Sequence, residues 1–546
     1  MNSLIKLYRK NWWHNSTIHC IGWCYRNNIC YSGEAFLQML ESINITAFSL
    51  EEIRKLAKEL TGHYTIFFTT PQYSYLIADR VRSFPLVYGY LNDTFFITDD
   101  LLRIKKEHTL DLSVNIRQAE LFIVSGVVFE EQSIFQDVYG LQAAEIVQLG
   151  KDNKVISRER YYLYTLNTDN KRPLSVKEEV LKQNNIFTNV FQRMLKSAPN
   201  VRNWIVPLSG GHDSRMIIYQ LYKLGVQNVI CYSYGTKDSL QAAISKQIAN
   251  ALGFDWYFIE YTPEKWYQIR ESHLFDQYFD FAFNGISNPH IQDLLAVYEL
   301  HIQGILSHGD CFIPGHTFDF ITGSQCLNGI QHIKTEQQAT YYLRYFMNQW
   351  ICQQRSSSVL QILTQMMRHY PIPLNHFTEL FLWQEWHCKF LLNSVRVYEF
   401  FGYDWRVPLW DQALVEYWQS IHVENKLYRN FLYQCEQAGL YTEPLSSIPF
   451  DFHMKAPNFL KKTIHNLIPY SLIRKYKYYS CLSAEYADND LYTIYAHLKP
   501  TLTDLIPYNK YPEELRYYLK PYLNYPLYRF PDNDVNSLYA LREQFQ

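Results

Sequence analysis

Charge of either sign is scarcely in excess in this 546-residue chain, where 51 lysines and arginines stand against 53 aspartates and glutamates, a formal net charge of −2. So even a balance gives no electrostatic case for nucleic acid or an anionic membrane as partner. Long hydrophobic runs are missing too: Leu121–Phe129 is interrupted by Ser125 and Gly126 and falls well short of the roughly 20 residues of a spanning helix. The opening residues Met1-Asn2-Ser3-Leu4-Ile5-Lys6 lack an apolar leader region, so secretion is not expected. The 10 cysteines have no paired spacing. Cys20, Cys24 and Cys30, with His14 and His19 nearby, come nearest to a cluster but lack the second ligand pair that a zinc site needs. Reduced thiols in a cytoplasmic protein are the expectation. No long-period repeat and no low-complexity tract is visible.

What is present favours large cores, with 47% hydrophobic and 19% charged residues. The length allows roughly two to four domains. The 46 tyrosines are read as amphipathic packing rather than as stacking platforms. Residues 60–150 have a strand-and-turn texture. Thr65–Thr70 and Tyr73–Ile77 flank a turn at Pro71-Gln72, and Thr94–Ile97 follows the turn Asn92-Asp93. Leu50–Leu60 reads as a helix. The polar segment Thr165–Pro173 is the best linker, dividing the chain into domains at 1–165 and 174–546.

Beyond it, Val176–Leu195 reads as a helix and Trp204–Leu208 as a buried strand. A helix over Arg215–Leu224 and a second strand at Val229–Tyr232 follow. This βαβ spacing predicts a doubly wound parallel sheet, and from Glu336 onward the pattern is mostly helical. Between the first strand and its helix lies Ser209-Gly210-Gly211-His212-Asp213-Ser214. Adjacent glycines let the backbone turn tightly and approach a ligand, and the free N–H groups of a helix start favour an anion. Ser209 and Ser214 add hydroxyl donors, while Asp213 is costly in an anion site unless a cation, most naturally Mg2+, accompanies the phosphate. The alternative is an ordinary helix cap after a tight turn.

The run Pro-Leu-Ser-Gly-Gly-x-Asp-Ser resembles the PP-loop ATP-pyrophosphatases, and within them the asparagine synthetase family. Gly315-His316-Thr317-Phe318-Asp319-Phe320 is similar to the family's Gly-Glu-Gly-x-Asp-Glu segment. Gly402–Asp411 is similar to its Gly-x-Glu-x-Arg-x-Pro-(Leu/Phe)-x-Asp signature, with Asp404 in the Glu position. The resemblance implies ATP bound by Leu208, Ser209, Gly210, Gly211, Asp213, Ser214, Tyr234 and Gly315, with Mg2+ held by Asp213 and Asp319. His316 and Asp404 are the candidate bases, with a phosphate contact as the alternative for His316. Arg406 is equally a ligand or part of a structural ion pair. Lys426 and Lys455 are candidates for the lysine that steadies the intermediate.

Thr61–Phe67, Ala78–Arg80, Pro85–Tyr88 and Ser133–Leu141 resemble the family's N-terminal glutaminase, which implies an Ntn-like αββα sandwich ahead of the synthetase domain. The pattern breaks at position 2, where Asn2 stands in place of the nucleophilic cysteine. The family's Asn-Gly-Glu segment has no counterpart, and Arg82 replaces a glycine. A degenerate glutaminase domain is therefore expected. The implied chemistry is activation of a carboxylate as its acyl-adenylate, followed by attack of an amine. A small-molecule or peptide acid and an amine donor would be the partners, with a separate ammonia source possible. Asparagine formation from free ammonia and a non-catalytic nucleotide-binding homologue are the alternatives.

Overall fold

The computed structural model describes residues 2–91, 94–169, 175–237, 239–346, 357–450, 508–523, 532–542 and 544. The first part is built in layers. Strands β1 (Asn2–Lys6), β7 (Val87–Leu91), β8 (Thr94–Thr98) and β9 (Val138–Gly140) form a four-stranded sheet in the order β1-β8-β7-β9. A seven-stranded sheet contains β2 (Trp13–His14), β3 (Ile18–Arg26), β4 (Ile29–Ser32), β5 (Thr61–Thr69), β6 (Ser74–Ala78), β10 (Glu145–Leu149) and β11 (Val155–Arg160). The hairpin read across Pro71-Gln72 is the antiparallel pair β5–β6.

Period-two alternation decides what each strand face buries. From β5, Tyr64, Ile66 and Phe68 pack with Phe36, Leu40, Ile53 and Leu56 of helices α1 (Glu34–Ser42) and α2 (Leu50–Glu59). The intervening Phe67 faces the other way, joining Leu76, Tyr88, Phe95, Ile97 and Val147 between the two sheets. Val87 and Phe96 bury the outer face of the smaller sheet with Leu101, Ile104, Leu121 and Phe122 of α3 (Leu101–Glu107) and α4 (Ile116–Ser125). The result is the expected four-layer αββα stack. α2 starts on a reciprocal cap, in which the Ser49 hydroxyl accepts from Glu52 N–H and the Glu52 carboxylate accepts from Ser49 N–H.

Helix α5 (Val176–Ser197) leads into a five-stranded, all-parallel sheet. Its strands are β12 (Trp204–Pro207), β13 (Val229–Gly235), β14 (Asp255–Glu260), β15 (Cys311–Phe312) and β16 (Asp404–Trp405), in the order β14-β13-β12-β15-β16. Helices α6 (His212–Lys223) and α7 (Leu240–Leu252) supply the crossovers from β12 to β13 and from β13 to β14. The fold is therefore α/β, doubly wound, as the βαβ spacing predicts. The sheet grows outward from β12 in both directions, so the topological switch point lies between β12 and β15. Ligand crevices of such sheets open there, beyond the carboxyl ends of the strands.

The two units share an extensive interface. In the wide-wound helical segment Leu382–Leu391, buried Lys389 donates through Nζ to Glu385 Oε2 (2.5 Å), Val128 O (2.9 Å) and Glu130 O (2.6 Å). A boundary at residue 165 omits one connection: the helix Asp532–Arg542 returns to pack on α4, where Ser537 Oγ donates to Phe122 O. Among the described residues, no helix is long and apolar enough to cross a membrane.

Candidate functional site

The switch point is where the two loops singled out in the sequence meet. Ser209–Ser214 leaves β12 and turns into α6; Gly315–Asp319 follows β15 and enters the short helix Phe318–Thr322. Parallel pairing of Trp204 with Cys311 and Ile205 with Phe312 brings both loops to the same end of the sheet. Their contact requires a glycine. A Cβ on Gly315 would lie 2.9 Å from Ser214 N and 3.2 Å from the carbonyl carbon of Asp213.

Hydroxyls shape the first loop from within. Ser214 Oγ accepts from Ser209 N–H at 3.0 Å and shares a 3.0 Å hydrogen bond with Ser209 Oγ, which in turn accepts from Gly211 N–H. Leu208 holds the strand end in register, with its N–H on Tyr232 O (2.8 Å) and its carbonyl accepting from Ser233 Oγ (2.6 Å). Tyr234, at the end of β13, stacks on Tyr261 with ring centroids 5.0 Å apart.

The two candidate metal aspartates are coupled. Asp213 Oδ2 accepts from Asp319 N–H at 2.9 Å, Asp213 Oδ1 accepts from Arg429 Nη2 at 2.7 Å, and Asp319 Oδ2 accepts from Ser324 Oγ at 2.9 Å. Burial raises the pKa of Asp213 and Asp319 adds repulsion, while Arg429 draws it back. Burial also works against the Arg429 charge, but Asp213 and Asp319 outweigh it and hold that pKa above its ordinary value. Two aspartates beside a phosphate cradle suit Mg2+, which takes few protein carboxylates and completes its shell with phosphate oxygen and water. A cation there would add to what Arg429 and the Asp319 N–H do to offset the repulsion between the two carboxylates. Among the described residues, no group of three or more histidine, cysteine, aspartate or glutamate side chains forms a metal cage.

Arg429 carries no motif in the sequence. It and Tyr428 both adopt left-handed backbone conformations (φ 62° and 55°), which non-glycine residues hold only when their surroundings impose it. Its Nε donates to Thr322 Oγ1 at 2.9 Å, so the guanidinium clamps the short helix as well as Asp213. His212, at the start of α6, bonds Glu436 (2.8 Å) and stacks on Phe450 (4.1 Å).

His316 lies one residue beyond Gly315. Its Nε2 is enclosed and has no hydrogen-bond partner among the described residues, and burial lowers its pKa despite Asp293 and Asp319. His290 stands 6.1 Å away between ring centroids, held down to about 3 by burial and by His316. His387 bonds Thr317 Oγ1 (3.1 Å) through Nδ1 and is likewise held down to about 4 by burial. The imidazoles beside the loop are thus neutral acceptors at neutral pH.

Other expectations are corrected. Asp404 pairs with Cys311, which is level with Trp204 at the amino end of the sheet, so it stands about 16 Å in strand length from Ser209 at roughly 3.3 Å per residue. It is exposed, and the candidate base at this position is withdrawn. Arg406 is not the partner of Asp411. It donates to Ser197 and to Trp405 O, whereas Asp411 pairs with Arg193 (2.7 Å) and caps the helix Gln412–Ser420. Lys426 is buried with Nζ on Tyr164 Oη (3.2 Å). Lys455 falls outside the described residues.

No protein-family model matches the chain, and no curated protein matches it. Among solved structures, NMN synthetase from Francisella tularensis is similar over 39% of this chain and 93% of its own, at 11% identity and a TM-score of 0.20. The NH3-dependent NAD synthetase from Campylobacter jejuni is similar over 36% and 95%, at 14% identity and a TM-score of 0.20. The U34-tRNA thiolase from Methanococcus maripaludis is similar over 45% and 91%, at 10% identity and a TM-score of 0.20. At these scores none of the three bears on the site, which rests on its own geometry.

Proposed function

We propose that the protein is an ATP-dependent amide-bond-forming ligase of the asparagine synthetase type, in the PP-loop ATP-pyrophosphatase superfamily. The observation that carries this reading is the meeting of Ser209–Ser214 with Gly315–Asp319 at the switch point, where Asp213 accepts from Asp319 N–H. The backbone N–H of Gly210, the Ser209 and Ser214 hydroxyls and the start of α6 form a cradle for the departing pyrophosphate. The substrate carboxylate oxygen attacks the α-phosphorus, the α–β bridging bond breaks, and pyrophosphate leaves with that bridging oxygen. An amine nitrogen then attacks the acyl carbon, AMP leaves, and the amine proton passes to a base.

Mg2+ at Asp213 and Asp319 would neutralise charge building on the phosphate oxygens. Arg429 supplies a fixed positive charge on the same side. His316, neutral and with Nε2 unpartnered among the described residues, is the group suited to accept the amine proton.

The layered N-terminal unit is read as having no glutaminase activity. Its cysteines are not activated: burial pushes the Cys20 thiol up to about 12, raises Cys24 well above its ordinary value and raises Cys30. The amine therefore comes from free ammonia, a partner or the acceptor molecule itself.

ATP–pyrophosphate exchange with a panel of carboxylic acids tests the proposal, comparing wild type with Asp213→Ala and Asp319→Ala. Exchange that requires an acid and both aspartates supports it. Absence of exchange with every acid, with nucleotide binding unchanged in both variants, defeats it. Glutamate released from glutamine by the purified chain would refute the reading of the N-terminal unit.

A further inference from the structure

The 10 residues Leu382–Leu391 are wound wider than an α-helix, a form that usually lasts a single turn and is frequent at functional sites. One face of the segment is fixed to the layered unit. The fully buried Lys389 ammonium directs its three N–H groups to Glu385, Val128 O and Glu130 O. Glu385 Oε2 accepts in turn from Glu130 N–H at 3.1 Å. Lys389 O accepts from Ser287 Oγ at 2.9 Å, and Ser287 pairs with Val127.

His387 lies two residues before Lys389, and side chains so spaced on a helix do not face the same way. Its Nδ1 shares a 3.1 Å hydrogen bond with Thr317 Oγ1, and its ring packs on Phe320 with centroids 4.2 Å apart. Trp383 stacks on Tyr164, at the end of the layered unit, at 4.8 Å and meets Phe320 at 5.8 Å. Tyr164 itself meets Phe320 at 5.3 Å. All of these contacts end on the short helix that carries Asp319 or on the residue that opens it.

That opening residue needs to be held. Thr317 is buried and has φ 73°, a left-handed conformation that a β-branched residue keeps only where its surroundings impose it. It stands between His316 and the helix Phe318–Thr322, so its backbone sets the direction in which the chain delivers Asp319 to Asp213. We propose that Leu382–Leu391 is a brace through which the layered unit positions the second loop of the phosphate site. Lys389 anchors the segment on Val128 and Glu130, and His387 pins Thr317 in its left-handed turn. The layered unit, read as having no glutaminase activity, thereby has a part in the ligase, a consequence that rests on the reading of the two loops as an ATP site. Thr317, His387 and Lys389 are positioning residues.

Amide hydrogen exchange on the full chain without ligand, read by mass spectrometry, tests the brace. Thr317→Val keeps the shape and the β-branch and removes the hydroxyl; Thr317→Ser keeps the hydroxyl. Lys389→Met combined with Glu385→Gln removes both buried charges, so neither is left unpaired. Amides of residues 317–324 should exchange about tenfold faster in Thr317→Val, the effect of one lost hydrogen bond, and near the wild-type rate in Thr317→Ser. In the double variant they should exchange at least about threefold faster, through coupling along the segment. Should that variant fail to fold, Glu385→Gln alone, which removes only the carboxylate charge, takes its place with the same expectation. No acceleration in Thr317→Val or in the anchor variant, equal acceleration in Thr317→Ser, or acceleration spread over β12 and β13 would each overturn the proposal. In ATP–pyrophosphate exchange, Thr317→Val should lower kcat about tenfold at unchanged KM for ATP, and a loss carried by KM alone would also overturn it. A wild-type chain with no ATP–pyrophosphate exchange would defeat the ligase reading, and amide exchange then decides the brace by itself.

Discussion

The main-chain N–H of Asp319 donates to Oδ2 of Asp213 across 2.9 Å, joining two loops that lie 106 residues apart in sequence. Arg429 takes the other oxygen, from a segment more than 200 residues further along. The carboxylate at the end of the Ser209–Ser214 loop is thus held by both flanking elements before any ligand arrives, as electrostatic preorganisation requires.

Removing Arg429 should therefore expose the cost of that carboxylate. Arg429→Ala leaves Asp213 buried without its cation, and truncating one partner of such a pair costs about 3–5 kcal/mol. Because Arg429 lowers the Asp213 pKa, its loss raises that pKa further, and a protonated Asp213 no longer needs a partner. The folded state then binds a proton that the unfolded state does not, so the stability deficit shrinks as pH falls through the new folded pKa. Chemical denaturation at pH 7.5 and 5.5 checks both parts. An equal deficit at the two pH values would show that the pair is not the cause.

Gly315→Ala isolates the contact between the loops. Its Cβ meets backbone at 2.9 Å, so the second loop must retreat from α6. Overpacking of this kind costs roughly 1–3 kcal/mol, and ATP–pyrophosphate exchange should fall by about a hundredfold, as when a positioned donor is lost. Gly225→Ala is the control: φ is +71° there, but nothing among the described residues lies within 4 Å. It should lose about 1 kcal/mol to backbone strain and keep full exchange.

Which parts of this site can be read from the chain depends on how far apart its pieces lie. A buried strand, two adjacent glycines and a helix start within one dozen residues define the Ser209–Ser214 loop locally. Asp319 is found through a second local motif. Arg429 has no such signal, because its role depends on an irregular segment with two left-handed residues arriving from far along the chain. Asp404 illustrates the reverse. Its motif is recognisable, but its function depends on strand register, and pairing with Cys311 puts it at the amino end of the sheet. The return of the Asp532–Arg542 helix onto α4 is equally invisible to local patterning, since tertiary contact alone decides it.

His316 should act after activation. His316→Gln retains a polar group of similar reach but cannot accept a proton near neutral pH. Exchange should stay within about threefold of wild type, while amide formation with an added amine falls by about a hundredfold, the usual range for general-base loss. Measuring both rates on the same acid separates the roles. A matching loss of exchange would instead place His316 on the phosphates.

Buried neutral histidines should set the acid limit of stability. Burial holds His63 and His290 at about 3 and His387 at about 4, against an ordinary value of 6.5. Below pH 6.5 the unfolded chain takes up protons at these positions and the folded chain does not, so stability falls with pH; above 6.5 all three are neutral in both states. At pH 5.5 each costs about 1.4 kcal/mol, roughly 4 kcal/mol in all. Asp79 and Asp100 oppose this. Burial raises both to about 6, so between there and 3.8 the folded state binds protons more tightly and gains stability as pH falls. Together they return about 1.5–2 kcal/mol at pH 5.5, so these five groups contribute a net loss of about 2–3 kcal/mol relative to pH 7.5. Urea denaturation at the two pH values gives the pH difference of the whole chain. His387→Gln should reduce it by about 1.4 kcal/mol, and a difference unchanged in that variant would mean that His387 is protonated in the folded protein.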